Sequence, residues 1–253
     1  MKNQIRGMRI IIADNYEEMS KKAATLVASQ VNIKPASVLG LATGGTPVGM
    51  YKELVKMYQD DEVDFSEVTT FNLDEYYPIE RTNDQSYYYY MNDNLFQHVN
   101  VAKDSIHIPN GKAADVNQEC YDYDQLIYNA GGIDLQVLGI GTNGHIGFNE
   151  PDITFESGTH KVTLDQETIQ ANARFFDSID EVPKEAISMG MKTIMQSKKI
   201  MLLANGESKA EIIDKMLFGE ISPNVPASIL QLHPHVIIVV DKEAGKYIHD
   251  KVK

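Results

Sequence analysis

Ile133-Asp134-Leu135-Gln136-Val137-Leu138 is an apolar run that stops abruptly in Gly139-Ile140-Gly141-Thr142-Asn143-Gly144-His145-Ile146-Gly147-Phe148-Asn149-Glu150-Pro151. The run has the length and composition of a buried strand, and the glycines read as a tight loop at its carboxyl end. In open α/β sheets, ligands bind beyond the carboxyl ends of the strands. This loop carries a histidine and a glutamate five residues apart, and an amide two residues before the histidine. Such groups can move protons on a small molecule near neutral pH.

Outward from that stretch, strand-like and helix-like segments alternate. Apolar runs at 8–13, 38–42, 68–73, 199–204 and 235–240 predict strands, and 161–164 a short one. Between them, helices are predicted from Asp14 or Asn15 as a cap, from Thr46-Pro47 to about Tyr58, and over about 85–98, 116–129, 183–196 and 208–218. Strands alternating with helices imply parallel pairing, right-handed crossovers and helices on both faces of the sheet. The expected fold is therefore a single α/β domain over 1–253, Rossmann-like, with an open, mostly parallel twisted sheet of about seven strands.

Composition narrows the function classes. A chain of 253 residues with 43% apolar content can bury one sizeable core. A net charge of −13 argues against a nucleic-acid surface, yet leaves room for a local anion site. Cys120 is the single cysteine, so no intramolecular disulfide can form and a cysteine-based zinc site is not expected. Its default reading is a buried, inert thiol. The first residues lack the apolar core of a signal peptide, and no apolar run approaches bilayer length. The expectation is a cytoplasmic protein with no membrane and no nucleic-acid partner.

Several side chains are candidates for chemistry. Thr43-Gly44-Gly45-Thr46-Pro47 lies between a strand and a helix start, where backbone amides attract anions; it is also a plain strand-to-helix turn. It is neither a Walker loop nor a dinucleotide fingerprint. Asp74, after Thr70-Phe71-Asn72-Leu73, reads on its own as a loop acid or helix cap more readily than as a base. Its neighbour Glu75 either orients it or joins a salt bridge. His145 can be paired by Glu150, which would hold one tautomer and support the protonated ring. Arg174 is by default a surface charge. Lys209 opens a helix, where a cation opposes the dipole unless an anion is near. His233 and His235 read as structural.

Taken together, Ala42-Thr43-Gly44-Gly45-Thr46-Pro47, Phe71-Asn72-Leu73-Asp74-Glu75-Tyr76, Gln85-Ser86-Tyr87, the 139–151 loop, Asn172-Ala173-Arg174-Phe175-Phe176-Asp177 and Leu230-Gln231-Leu232-His233-Pro234 closely resemble the glucosamine-6-phosphate deaminase (isomerase) family. The pieces run in that family's order across nearly the whole chain. The resemblance implies conversion of an amino-sugar phosphate to fructose 6-phosphate and ammonia, with no metal and no redox cofactor. It gives His145, with Glu150 and Asn143, the opening of the sugar ring. It makes Asp74 the base that moves a proton from C2 to C1. It assigns the phosphate to Thr43, Gly44, Gly45, Thr46, Arg174 and Lys209.

Two departures carry expectations. Asn143 stands where some members have aspartate, and an amide can only orient by hydrogen bonding. The stretch 152–162 has His160 and Lys161 as its only cationic candidates, and the chain ends at Lys253. Weak or absent activation by an amino-sugar phosphate is therefore expected, with a monomer or small homo-oligomer in place of a hexamer. The segment 159–181 is a candidate lid. The rival readings are a 6-phosphogluconolactonase, a galactosamine-6-phosphate deaminase, and a sugar-phosphate sensor without catalysis. Glu150 has no place in the lactonase motif. A DNA-binding sensor needs a basic helix-turn-helix segment, for which 1–12 leave no room.

Overall fold

The computed structural model describes residues 4–5, 7–173, 176, 178–249 and 251. Along the chain run β1 (Gln4–Ile5), β2 (Met8–Ala13), α1 (Tyr16–Ile33), β3 (Val38–Leu41), α2 (Val48–Gln59), β4 (Thr69–Asn72), β5 (Asp74–Tyr77), α3 (Tyr87–Asn94) and β6 (Ile106–His107). They are followed by α4 (Val116–Asn129), β7 (Leu135–Leu138), β8 (His160–Thr163), α5 (Gln166–Asn172), β9 (Glu185–Ser188), α6 (Met191–Met195), β10 (Ile200–Ala204), α7 (Ala210–Phe218) and β11 (Val236–Asp241).

The main sheet has the order β1-β2-β11-β10-β7-β3-β4-β6. Seven of its strands are mutually parallel, as expected, and the two-residue β1 adds an antiparallel edge. The central strands β3, β7 and β10 are buried along their whole length, which is why they read as unbroken apolar runs. From β3 the chain steps outward to β4 and β6; from β7, on the other flank of β3, it steps to β10 and β11. The loops leaving β3 and β7 therefore diverge and open a crevice at their carboxyl ends.

At the opposite, amino end of the sheet, the charge inside the 133–138 run is accounted for. Asp134 is buried and accepts from Lys34 Nζ at 2.6 Å, Lys198 Nζ at 2.8 Å and the Val38 amide at 2.8 Å. Of the two cap candidates before α1, Asn15 is the one used: its Oδ1 accepts from the Glu18 amide at 2.9 Å.

Two expectations are corrected. The segment 183–196 is not one helix. It forms β9, pairs antiparallel with both β5 and β8, and only then turns into the short α6. Tertiary pairing overrides local preference here, and Gly190 marks the break. A Cβ on Gly190 would lie 2.1 Å from the Gly158 carbonyl oxygen and 2.4 Å from that of Ser157, so this stretch of chain passes directly against a neighbouring loop. The second correction concerns 68–75 and 85–98. β4 stops at Asn72, the chain crosses at Leu73 into the second sheet, and Asp74 begins β5 instead of ending β4. The helix expected over 85–98 is α3, capped by Ser86, followed by a separate 3₁₀ turn at Phe96–His98. No helix among the described residues is long and apolar enough to cross a membrane.

Candidate active site

The crevice between β3 and β7 is a cleft of about 810 Å³. It is walled by the loops after β3, β4, β7 and β10, by Tyr16 and by Thr168 of α5. Thr43, Gly44, Gly45, Thr46, Asp74, Asn143, His145 and Lys209 all line it. Arg174 lies outside the described residues.

Asp74 is 6% exposed, and no described residue donates a hydrogen bond to its carboxylate. Burial, and behind it the negative charge of Glu75, push the Asp74 carboxyl up to about 8. Aromatic rings provide the dry surroundings: Tyr87 and Phe148 line the cleft and stack with centroids 6.1 Å apart, and Tyr76 packs 4.8 Å from Tyr87. Alternation along β5 sends Glu75 to the other face of the strand. There it accepts from the amides of Tyr87 at 2.8 Å, Tyr88 at 3.0 Å and Tyr76 at 2.9 Å, which seats it on the first turn of α3. Burial pushes Glu75 up to about 7, against the pull of these three amides and of Arg81. Glu75 is thus a buried negative neighbour to Asp74 and a helix anchor.

His145 and Glu150 are paired. His145 Nδ1 lies 3.0 Å from Glu150 Oε2, and the same oxygen accepts from Asn143 Nδ2 at 2.7 Å. Asn143 Oδ1 in turn accepts from the His145 amide at 3.2 Å, so the amide side chain braces both members. The other carboxylate oxygen, Oε1, accepts from the Thr168 hydroxyl. Burial pushes the Glu150 carboxyl up, but the bond and charge of His145, with the Thr168 and Asn143 bonds, outweigh it and hold the group below its usual value. A carboxylate on Nδ1 fixes the tautomer and leaves Nε2 to exchange a proton. The ring fits because Gly141 has no side chain: a Cβ there would lie 2.4 Å from the imidazole.

On the far wall, the Thr46 hydroxyl donates to Asn205 Oδ1 at 2.7 Å, joining the loop after β3 to the loop after β10. The latter is fixed by Asp241, whose carboxylate accepts the Gly206 amide at 3.1 and 3.0 Å. Lys209 and Ser208 follow at the approach to α7. The arrangement places a buried acid of raised pKa, a histidine held by a carboxylate and a loop of backbone amides in one cleft, while Glu150 itself lines a smaller pocket with Asn149 and Pro151.

Residues 13–238 match one family almost from end to end. The chain belongs to the glucosamine-6-phosphate isomerase/6-phosphogluconolactonase family. Within it, a glucosamine-6-phosphate deaminase of Clostridium botulinum is 62% identical over 238 residues, which is 94% of this chain and 98% of that protein. A monomeric glucosamine-6-phosphate deaminase of solved structure is 49% identical, with a TM-score of 0.92 over 94% of this chain and 98% of that one. A 6-phosphogluconolactonase from Thermotoga maritima, 18% identical, matches with a TM-score of 0.73 over 93% of this chain and 99% of that one. At that identity the lactonase shares the fold alone.

Of the residues that build the cleft, Tyr16, Thr168 and Asn205 lie outside the motifs quoted above. Thr168 lies 18 residues beyond Glu150 in a stretch without a motif, and only the fold brings the two together.

Proposed function

We propose that this protein converts D-glucosamine 6-phosphate and water to D-fructose 6-phosphate and ammonia, by opening of the sugar ring, proton transfer from C2 to C1 and loss of the amine. The observation that carries the reading is the buried Asp74, raised to about 8 with no cation beside it among the described residues, in one cleft with His145, whose ring is held by Glu150. A carboxylate of that basicity is suited to take a carbon-bound proton, and its dry surroundings keep the proton from solvent. His145, held by Glu150 and Asn143, exchanges a proton with the ring oxygen or the anomeric hydroxyl. Asp74 then removes the C2 proton of the open chain and returns it at C1, passing through an enolamine; water displaces the amine as ammonia. The amides of 43–46, with Lys209 and Arg174, bind the phosphate and so fix the sugar's orientation.

The segment 159–181 acts as a lid in this reading. Its support is Thr168, which lies in that segment, lines the cleft and donates to Glu150. Unchanged order and position of the segment with and without ligand would count against it. The enzyme works in the cytoplasm as a monomer or small homo-oligomer, with little or no activation by amino-sugar phosphates. Lys161, one of the two cations expected near such a site, is already paired with Glu185 at 2.6 Å. Sigmoidal kinetics relieved by N-acetylglucosamine 6-phosphate would refute this.

The deciding experiment measures fructose 6-phosphate and ammonia from glucosamine 6-phosphate, with galactosamine 6-phosphate and 6-phosphogluconolactone in parallel. Equal amounts of both products from the gluco ester, lost in Asp74→Asn, are expected. Turnover of either other compound alone overturns the substrate; no turnover of any revives the sensor.

A further inference from the structure

The loop at 43–46 is held from behind by tyrosine hydroxyls from three helices. Tyr51 of α2 donates to the Ala42 carbonyl at 2.5 Å. Tyr90 of α3 donates to the Gly44 carbonyl at 2.6 Å. Tyr16, the first residue of α1, lies 3.2 Å from the Gly45 carbonyl and 3.1 Å from that of Thr46, and its oxygen accepts the Gly49 amide at 2.8 Å. A hydroxyl has one proton, so Tyr16 shares it between two neighbouring carbonyls.

In a trans peptide, the carbonyl and the amide that follows it point in opposite directions. Pinning the carbonyls of Ala42, Gly44 and Gly45 to the tyrosines therefore turns the amides of Thr43, Gly45 and Thr46 the other way. No described residue accepts a hydrogen bond from those three amides, and all three residues line the cleft. Amides without a protein acceptor are available to whatever enters, and an anion is the ligand they favour. A released peptide could turn over and present its carbonyl oxygen to that anion instead.

We infer that Tyr16 and Tyr90 are positioning residues for the substrate's phosphate: their hydroxyls hold the loop at 43–46 with its amides facing the cleft. The inference rests on reading that loop as the phosphate site. Neither hydroxyl bonds to Asp74, His145 or Glu150, so their loss is expected to weaken ester binding and leave the proton transfer intact.

Tyr16→Phe, Tyr90→Phe and the double variant test it in the full chain. KM for glucosamine 6-phosphate, kcat, and the competitive inhibition constant of inorganic phosphate are measured, together with direct calorimetric titration by inorganic phosphate. Tyr89→Phe, exposed on the same helix, is the control. Each single variant is expected to raise KM and the phosphate constants about three- to tenfold, the net effect of one hydrogen bond, with kcat within about twofold of the parent. Tyr89→Phe is expected to change neither. Constants within about twofold of the parent in both single variants and in the double overturn the inference. So does a fall in kcat with KM and the phosphate constants held. The two tyrosines lie on different helices, and one folded variant, checked by thermal melting, suffices for the decision. If the wild-type chain turns over neither hexosamine ester, the functional reading falls, while the phosphate titration still decides whether the tyrosines position the loop.

Discussion

At the amino end of the sheet, Asp134 is buried between two lysines and an amide; at the carboxyl end, Asp74 is buried beside another carboxylate and among aromatic rings. Burial pushes both groups up. Lys198, Lys34 and the Val38 amide more than offset it for Asp134, whose carboxyl sits below the usual range, while nothing described offsets it for Asp74. Glu150 is intermediate: buried, but met by three hydrogen bonds, one of them from a histidine. One residue type thus plays two parts. A compensated carboxylate joins strands, and an uncompensated one stores basicity at the cost of stability.

The widest contrast is expected from Asp74→Asn. Turnover should fall about 10³-fold or more, the scale of removing a general base. Stability should move the other way. Below its ordinary pKa of 3.8, Asp74 is protonated in both states; between there and about 8 the folded chain keeps a proton that the unfolded chain gives up, so stability declines as pH rises. Thermal melts of variant and parent should therefore diverge most at pH 9, with the variant higher, and converge toward pH 5. A variant that melts lower at pH 9 would show that Asp74 is compensated after all.

Asp134→Asn should behave oppositely. Loss of about 1–3 kcal/mol is expected, discounted because both lysines are about half exposed, and turnover should stay within about twofold of the parent. Its lowered pKa means that the contribution is present above the ordinary value and is lost as pH falls through the folded one. Equal melting of variant and parent at pH 7 would remove Asp134 from the comparison.

A smaller effect is expected from Thr168→Val, which takes one donor from Glu150. About a tenfold fall in kcat, with KM held and most of the rate restored by Thr168→Ser, is the predicted result. A rise in KM alone would place the hydroxyl on the substrate. Smallest is Glu75→Gln. Asp74 must be ionised to act, so kcat/KM should fall on the acid side near pH 8, and removing the neighbouring charge should move that limb to lower pH. An unmoved limb would leave burial as the sole cause.

Much of this comparison can be read from residue order, and some cannot. The apolar runs at 8–13, 38–42 and 199–204 announce a parallel sheet because strands buried on both faces need no alternation. The five-residue spacing of His145 and Glu150 is short enough for a loop to close, so their pairing is visible in advance. The basicity of Asp74 is not, since it depends on which cations stay away, and that is decided by folding. The four residues of β9 resemble a helix turn until β5 and β8 flank them. Thr168 reaches Glu150 across 18 residues of sequence, and no local pattern announces that contact.

The small sheet has a further consequence. β8 and β9 pair from His160–Ser188 to Thr163–Glu185, and the Leu164 amide reaches the Lys184 carbonyl at 2.9 Å, so residues 165–183 leave and re-enter the body at one point. Such a segment is a cassette. Its ends are already clamped together, and a longer or shorter version would add little to the entropy of closing it. A protease cut inside it should leave two fragments that co-elute in gel filtration, held by the ladder. The strand that carries the base would keep its neighbour, because β9 stays paired with β5 whatever the length of the segment that precedes it.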